Sequence, residues 1–247
     1  MTHPPSTAEG LAMETIPRRG LLGAAALALI PTLSQAAEPA MYDYLFVDLD
    51  DAAPGTTPTR AYADHLRTRT ASLAAAGGEV VGYFTPQLGW VGRQAALLVR
   101  WAGDVKTRDR ELISLMRDKT VRSGQRAELT PTERPGPADR PQPGGIYVHR
   151  WFVVESRSVP EFVALSVEGW RDFEVRFDTK IFGLFTAKRS ANDRQSGVTR
   201  LLLITRYGSH GVWEASRDPS TAAMAAFARR QALTRDSWAA STLFVPI

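Results

Sequence analysis

Apolar and polar positions change period along this chain in an order that repeats. Aromatic and branched residues crowd 42–49 (Tyr42, Tyr44, Leu45, Phe46, Val47 and Leu49), which predicts a strand. After a loop holding Pro54, Gly55 and Pro58, the apolar residues Tyr62, Leu66 and Leu73 recur near helical spacing across 59–76, and Gly77-Gly78 supplies the stop. Strand-like stretches at 80–85 and 95–101 flank a Gly-rich turn. A second helix is predicted over 108–119, with Leu112, Leu115 and Met116 on one side, and 121–129 supplies a closing strand. The second half repeats this order. A strand over 146–155 leads to a helix from 160 to about 173, a strand over 180–186, a polar turn through Asn192-Asp193 and a strand over 198–207. An Ala-rich helix over 221–235 and a terminal strand over 241–245 complete it.

Two stretches carry the repeat in their residues. Gly82-Tyr83-Phe84-Thr85 leads to Leu98-Val99-Arg100-Trp101, and Gly183-Leu184-Phe185-Thr186 leads to Ile204-Thr205-Arg206-Tyr207. Gly82 and Gly183 read as points of close backbone packing. The order β-α-β-β-α-β, used twice, predicts an α+β fold of two tandem ferredoxin-like units, 41–130 and 146–247, with helices on one face of each sheet. Their free faces have each other to cover, which predicts an intrachain α/β barrel with the sheets packed together. Residues 131–145, with five prolines and three glycines, read as a stiff linker with little to bury.

Composition adds bounds. A length of 247 residues with 44% hydrophobic content supports a large core. The net charge of +4 comes from arginines scattered without a run, so a nucleic-acid partner is not expected. No cysteine is present, which excludes disulfides, thiolate metal sites and a thiol nucleophile. His65, His149 and His210 have no metal-ligand spacing, and no nucleotide or cofactor fingerprint appears; neither a metal nor a cofactor is expected. At the amino terminus, Arg18-Arg19 precedes the short apolar run 21–30, with Ser34-Gln35-Ala36 after it. This resembles a twin-arginine export signal over 1–36, cleaved after Ala36. It implies a bacterial protein that meets the membrane only during export and works outside the cytoplasm. The run is short of the ~20 apolar residues a spanning helix needs.

Tyr147-Val148-His149-Arg150-Trp151-Phe152-Val153-Val154, with Phe162, Trp170, Arg206-Tyr207 and Arg217 in register behind it, resembles the NIPSNAP family. The resemblance covers about 146–247, with a diverged copy in 41–130. It implies a ferredoxin-like unit of the dimeric α/β-barrel group, in which homo-oligomers are common, and no single reaction. The first half has no arginine at the place of Arg150; Asp43 or Leu45 falls there.

Strand alternation puts Arg150, Phe152 and Val154 on one face, and Arg200, Leu202, Ile204 and Arg206 on one face. If both rows look into the barrel, Arg150 and Arg206 make a carboxylate site walled by Phe152. The competing reading pairs both arginines with acids, Asp43 and Asp48 being available. His149 falls on the other face with Tyr147 and Trp151, packed under helices or at an edge. His210 follows a strand in a loop with Tyr207 before it and Trp213 after it, and these three are the candidates for a pocket mouth, His210 or Tyr207 handling a proton. Three functions fit: a binder of a small apolar or aromatic acid, a cofactor-free monooxygenase or isomerase, and a cell-envelope interaction module. An open, polar-ended barrel interior would favour the first two and a filled one the third.

Overall fold

A computed structural model describes residues 40–102 and 107–247; the export leader expected over 1–36 lies outside the described residues. The first half runs β1 (Met41–Leu49), α1 (Pro58–Ala75), β2 (Gly78–Leu88), β3 (Gln94–Trp101), α2 (Arg108–Met116) and β4 (Val121–Pro131). The second runs β5 (Ile146–Glu155), α3 (Val159–Arg176), β6 (Thr179–Ala187), α4 (Ala191–Gln195), β7 (Val198–Tyr207), α5 (His210–Ala215), α6 (Ala222–Ala232) and β8 (Thr234–Phe244). Local chemistry sets these bounds. Thr57 caps α1 by accepting from the Arg60 amide, with Pro58 in the first turn. The expected polar turn at Asn192-Asp193 closes instead into α4, because Ser190 and Asp193 form a reciprocal capping box.

Each half is a ferredoxin-like unit with strand order 4-1-3-2, and the two join edge to edge into one closed barrel, β1-β3-β2-β8-β5-β7-β6-β4. Every neighbouring pair is antiparallel. The tandem architecture expected from the repeat is therefore present. The halves correspond in register as well: β3 meets β2 across a bulge between Val80 and Gly82, and β7 meets β6 across a bulge between Ile181 and Gly183. At both glycines a Cβ would run into the ring of the phenylalanine two residues on, Phe84 or Phe185. The shared Gly-x-Phe motif is thus a bulge over which an aromatic ring folds.

Three apolar layers follow. Tyr62, Leu66, Leu112 and Leu115 of α1 and α2 pack with Leu45, Leu97 and Trp101 on the outer face of the first half. Phe162, Trp170 and Phe173 of α3 pack with Phe152, Leu201 and Leu184 on the outer face of the second. Between them, Tyr42, Tyr44, Phe84, Tyr147, Phe185, Leu202 and Ile204 line the barrel interior. Each such fully buried side chain contributes roughly 1.5–3 kcal/mol.

Two expectations change. The last strand begins at Thr234, not 241, so the helix expected over 221–235 ends at Ala232; β8 needs that length to pair with β5 from Thr234 to Thr242 and then reach β2. Residues 131–145 are also more than a spacer. Pro141 is buried; Thr132 donates its amide to the Leu184 carbonyl at 2.9 Å, and Leu184 returns one to Arg134 at 3.0 Å. Arg140 pairs with Glu79 at 2.8 Å, Arg134 with Glu174 at 2.8 Å, and the Tyr147 hydroxyl donates to the Gln142 carbonyl at 2.6 Å. This segment crosses one end of the barrel, where β1 and β5 start.

Candidate functional site in the barrel

The opposite end opens into a cavity of about 770 Å³, within the range of small-molecule sites. Alternation decides what lines it. In β1, Tyr42, Tyr44 and Phe46 point inward while Asp43, Leu45 and Val47 face the helices; in β5, Tyr147, His149 and Trp151 point inward while Val148, Arg150 and Phe152 face the helices. Tyr44 and His149 occupy equivalent positions in the two repeats and meet across the barrel, the Tyr44 hydroxyl lying 2.9 Å from His149 Nδ1. His149 is 1% exposed. Its ring stands edge-on to Phe84 at 4.5 Å and to Trp90 at 5.5 Å, and Trp90, from the β2–β3 turn, closes on Phe46 at 5.1 Å. Toward the mouth, Trp151 stacks on Trp238 of β8 at 6.2 Å and 15° between planes.

This aromatic setting controls protonation. Burial alone holds the His149 imidazole down at about 3, so it is neutral, and burial pushes the Tyr44 phenol above its ordinary value. A neutral imidazole has one donor and one acceptor nitrogen. With Nδ1 engaged by Tyr44, Nε2 is a buried polar atom without a partner among the described residues. Charges gather only at the rim. Lys188 pairs with Glu128 at 2.8 Å and Arg200 with Asp193 at 3.0 Å, whereas Arg189 donates to the Ser156 hydroxyl at 3.1 Å and has no acidic partner among the described residues.

The candidates drawn from the sequence are dispersed. Arg150 and Phe152 are on the outer face beneath the helices, whereas Arg206 belongs to the inward row of β7; the sheet separates the two arginines, so they form no joint site. Arg206 sits at the covered end, donating to Asp178 at 2.9 Å and to the Gly144 carbonyl at 3.1 Å. Neither Asp43 nor Asp48 reaches these arginines: Asp43 is enclosed by Arg108, Arg126 and the Trp101 indole, and Asp48 pairs with Arg93. Tyr207 is buried on the outer face, and His210 and Trp213 lie on the exposed α5, so none of the three borders the barrel cavity. His149, expected under helices or at an edge, is instead the deepest polar group of that cavity. The overlooked signal was the row of inward aromatics. Tyr42, Tyr44 and Phe46 match Tyr147, His149 and Trp151 position for position, and a wide barrel needs large side chains to fill it.

No protein-family profile matches the sequence, and no curated protein matches it. Solved structures do resemble it. An anthrone oxidase-like protein superimposes with a TM-score of 0.51 at 13% identity, over 85% of this chain and 92% of its own. The chain shares their fold. A candidate monooxygenase from Lactobacillus acidophilus NCFM gives 0.54 at 8% identity over 84% and 94%, and a candidate chlorite dismutase 0.51 at 8% over 83% and 95%. The ferredoxin-like α+β barrel is thus common to all, with the two units here in one chain.

Proposed function

We propose that this is an exported, NIPSNAP-like barrel protein that binds a planar, largely apolar molecule with an acidic end. The observation that carries the reading is the open aromatic cavity, with Trp90, Trp151 and the Tyr44–His149 pair inside it and Arg189 at its rim. Aromatic walls favour a flat ring system by stacking, Arg189 favours a carboxylate near the mouth, and His149 Nε2 offers one hydrogen bond at depth. An open interior argues for a ligand over a protein-interaction module. The leader at 1–36 supports export, and the second-half motif supports the kinship.

Titration with 1-hydroxy-2-naphthoate, followed by calorimetry, tests this. Saturable one-to-one binding is expected, weakened tenfold or more by Trp90→Ala and about threefold by Arg189→Ala, as losses of ~1.4 and ~0.7 kcal/mol imply. Absence of saturable binding, or an unchanged affinity in Trp90→Ala, would refute it.

A second reading, proton abstraction from the ligand by His149 Nε2 in a cofactor-free oxygenase or isomerase, draws on the partnerless nitrogen and on the names of two neighbours, one anthrone oxidase-like and one a candidate monooxygenase. Magnitude ranks it second. Moving a proton from a phenol near 10 to an imidazole at about 3 costs on the order of 10 kcal/mol before the resulting ion pair offsets part of it.

A further inference from the structure

Arg150 of β5, Arg217 between α5 and α6, and Arg230 of α6 converge on the outer face of the second half, and no carboxylate pairs with any of them among the described residues. With Tyr207, Trp170 and Val148 they line a partly enclosed cavity of about 30 Å³, against the roughly 10–15 Å³ that one water needs. Several donors there lack an acceptor among the described residues, although Arg230 Nη1 donates to the Ser166 hydroxyl at 3.3 Å. Arg230, 6% exposed, has a partnerless Nε, as have Arg217 at Nε and Nη2 and Trp170 at Nε1. Arg230 rests on the rings of Phe227, Phe152 and Phe162 at 4.5, 5.0 and 5.3 Å, which fixes its plane but supplies no counter-charge. Buried cations in native proteins are ordinarily paired.

The first repeat shows what completes such a cluster. Register equates Met41–Trp101 with Ile146–Tyr207, so Asp43 corresponds to Val148, Leu45 to Arg150 and Trp101 to Tyr207. In the first half the Asp43 carboxylate, fully buried, accepts from the Trp101 indole at 2.7 Å, from Arg108 at 2.7 and 2.8 Å and from Arg126 at 2.7 Å. In the second half three arginines gather at the corresponding place from other positions, Arg150 standing where the first half has Leu45 and Ala239 where it has Arg126, while the carboxylate is replaced by the short side chain of Val148, which leaves the cavity. We propose that this cavity is a binding site for a small dianionic oxyanion, inorganic phosphate or sulfate, held by Arg150, Arg217 and Arg230 with the Tyr207 hydroxyl and Trp170 indole as further donors. The bound ion supplies from solution what Asp43 supplies covalently in the first half. Arg230, held down at about 9 chiefly by burial and then by its two arginine neighbours, remains protonated at neutral pH. The site is separate from the barrel cavity, on the other side of the sheet.

Thermal melts of the full chain in phosphate-free buffer, with sodium phosphate or sulfate set against chloride at equal ionic strength, provide the test. A saturable rise of about 5–10 °C is expected at a hundredfold excess over Kd. Arg217→Gln should abolish the rise, and Arg189→Ala at the barrel mouth should keep it. Arg230→Met should also abolish it and melt above wild type without phosphate, because an uncompensated buried cation is gone. No rise beyond chloride in wild type overturns the proposal, as does an equal rise in Arg217→Gln. Should Arg230→Met not fold, broadening of the phosphate 31P resonance by wild type but not by Arg217→Gln decides the matter.

Discussion

At the scale of single residues, two buried ionisable groups divide the polar chemistry of this protein. His149 is neutral because burial disfavours its charged form, and the Asp43 carboxylate accepts from the two guanidinium groups and the indole that enclose it. Their consequences for stability differ. The unfolded His149 takes up a proton below about 6.5, while the folded one resists until about 3, so its contribution is intact above 6.5 and is lost as pH falls toward 3. Urea unfolding of wild type and His149→Phe should therefore diverge by about 2 kcal/mol between pH 7 and pH 5, with wild type losing more. Parallel pH curves would show that water or a counter-charge reaches the imidazole. Asp43→Asn leaves Arg108 and Arg126 facing a neutral amide, and a loss of about 3–5 kcal/mol in the same assay is expected. A loss below 1 kcal/mol would mean the cluster is solvated.

At the scale of elements, period and punctuation revealed most of the fold and little of the site. Of the residues whose spacing marked the first two helices, Tyr62, Leu66, Leu73, Leu112 and Leu115 are buried and Met116 is half-buried against the same core, and the Gly-x-Phe-Thr motifs fall on matching bulges. What alternation alone could not supply was which face of β5 looks inward. Its rows, Arg150 with Phe152 and His149 with Trp151, are both partly apolar, and the answer comes from pairing in β7 and β8 and from helices far away in sequence. The proline-rich segment hid its role for a related reason: its contacts are backbone hydrogen bonds and ion pairs, which leave no hydrophobic period. Its junction with β5 is testable. Gly145 has φ +73° and its added Cβ would strike the Tyr207 carbonyl, whereas Gly144, at φ +79°, faces open space. Gly144→Ala should cost about 1 kcal/mol from backbone conformation alone, and Gly145→Ala at least ~2 kcal/mol more, because the carbonyl cannot yield without breaking the β5–β7 pairing. Equal losses from the two substitutions would mean that the covered end of the barrel is loosely held.

At the scale of the whole molecule, the barrel consists of two strongly paired half-sheets closed by two short seams. β5 pairs with β7 through ten residue pairs, from Ile146↔Tyr207 to Glu155↔Val198, whereas β4 meets β6 through three, Leu129↔Ala187 to Pro131↔Phe185, and β2 meets β8 through four. Opening free energy follows the hydrogen bonds and apolar contacts that must be broken together, so the seams should open before either half unfolds. The β4–β6 seam also carries Ala187, Lys188 and Arg189 at the cavity mouth, so its opening widens the entrance to Trp151 and His149. Amide hydrogen exchange read by mass spectrometry should show peptides spanning 186–190 exchanging at least tenfold faster than those spanning 200–206. A bound aromatic acid should slow the first set and leave the second unchanged, since only the seam changes between open and closed entrances. Uniform protection across both sets would mean that the barrel opens only by global unfolding, and that ligands enter through a mouth already wide enough to admit them.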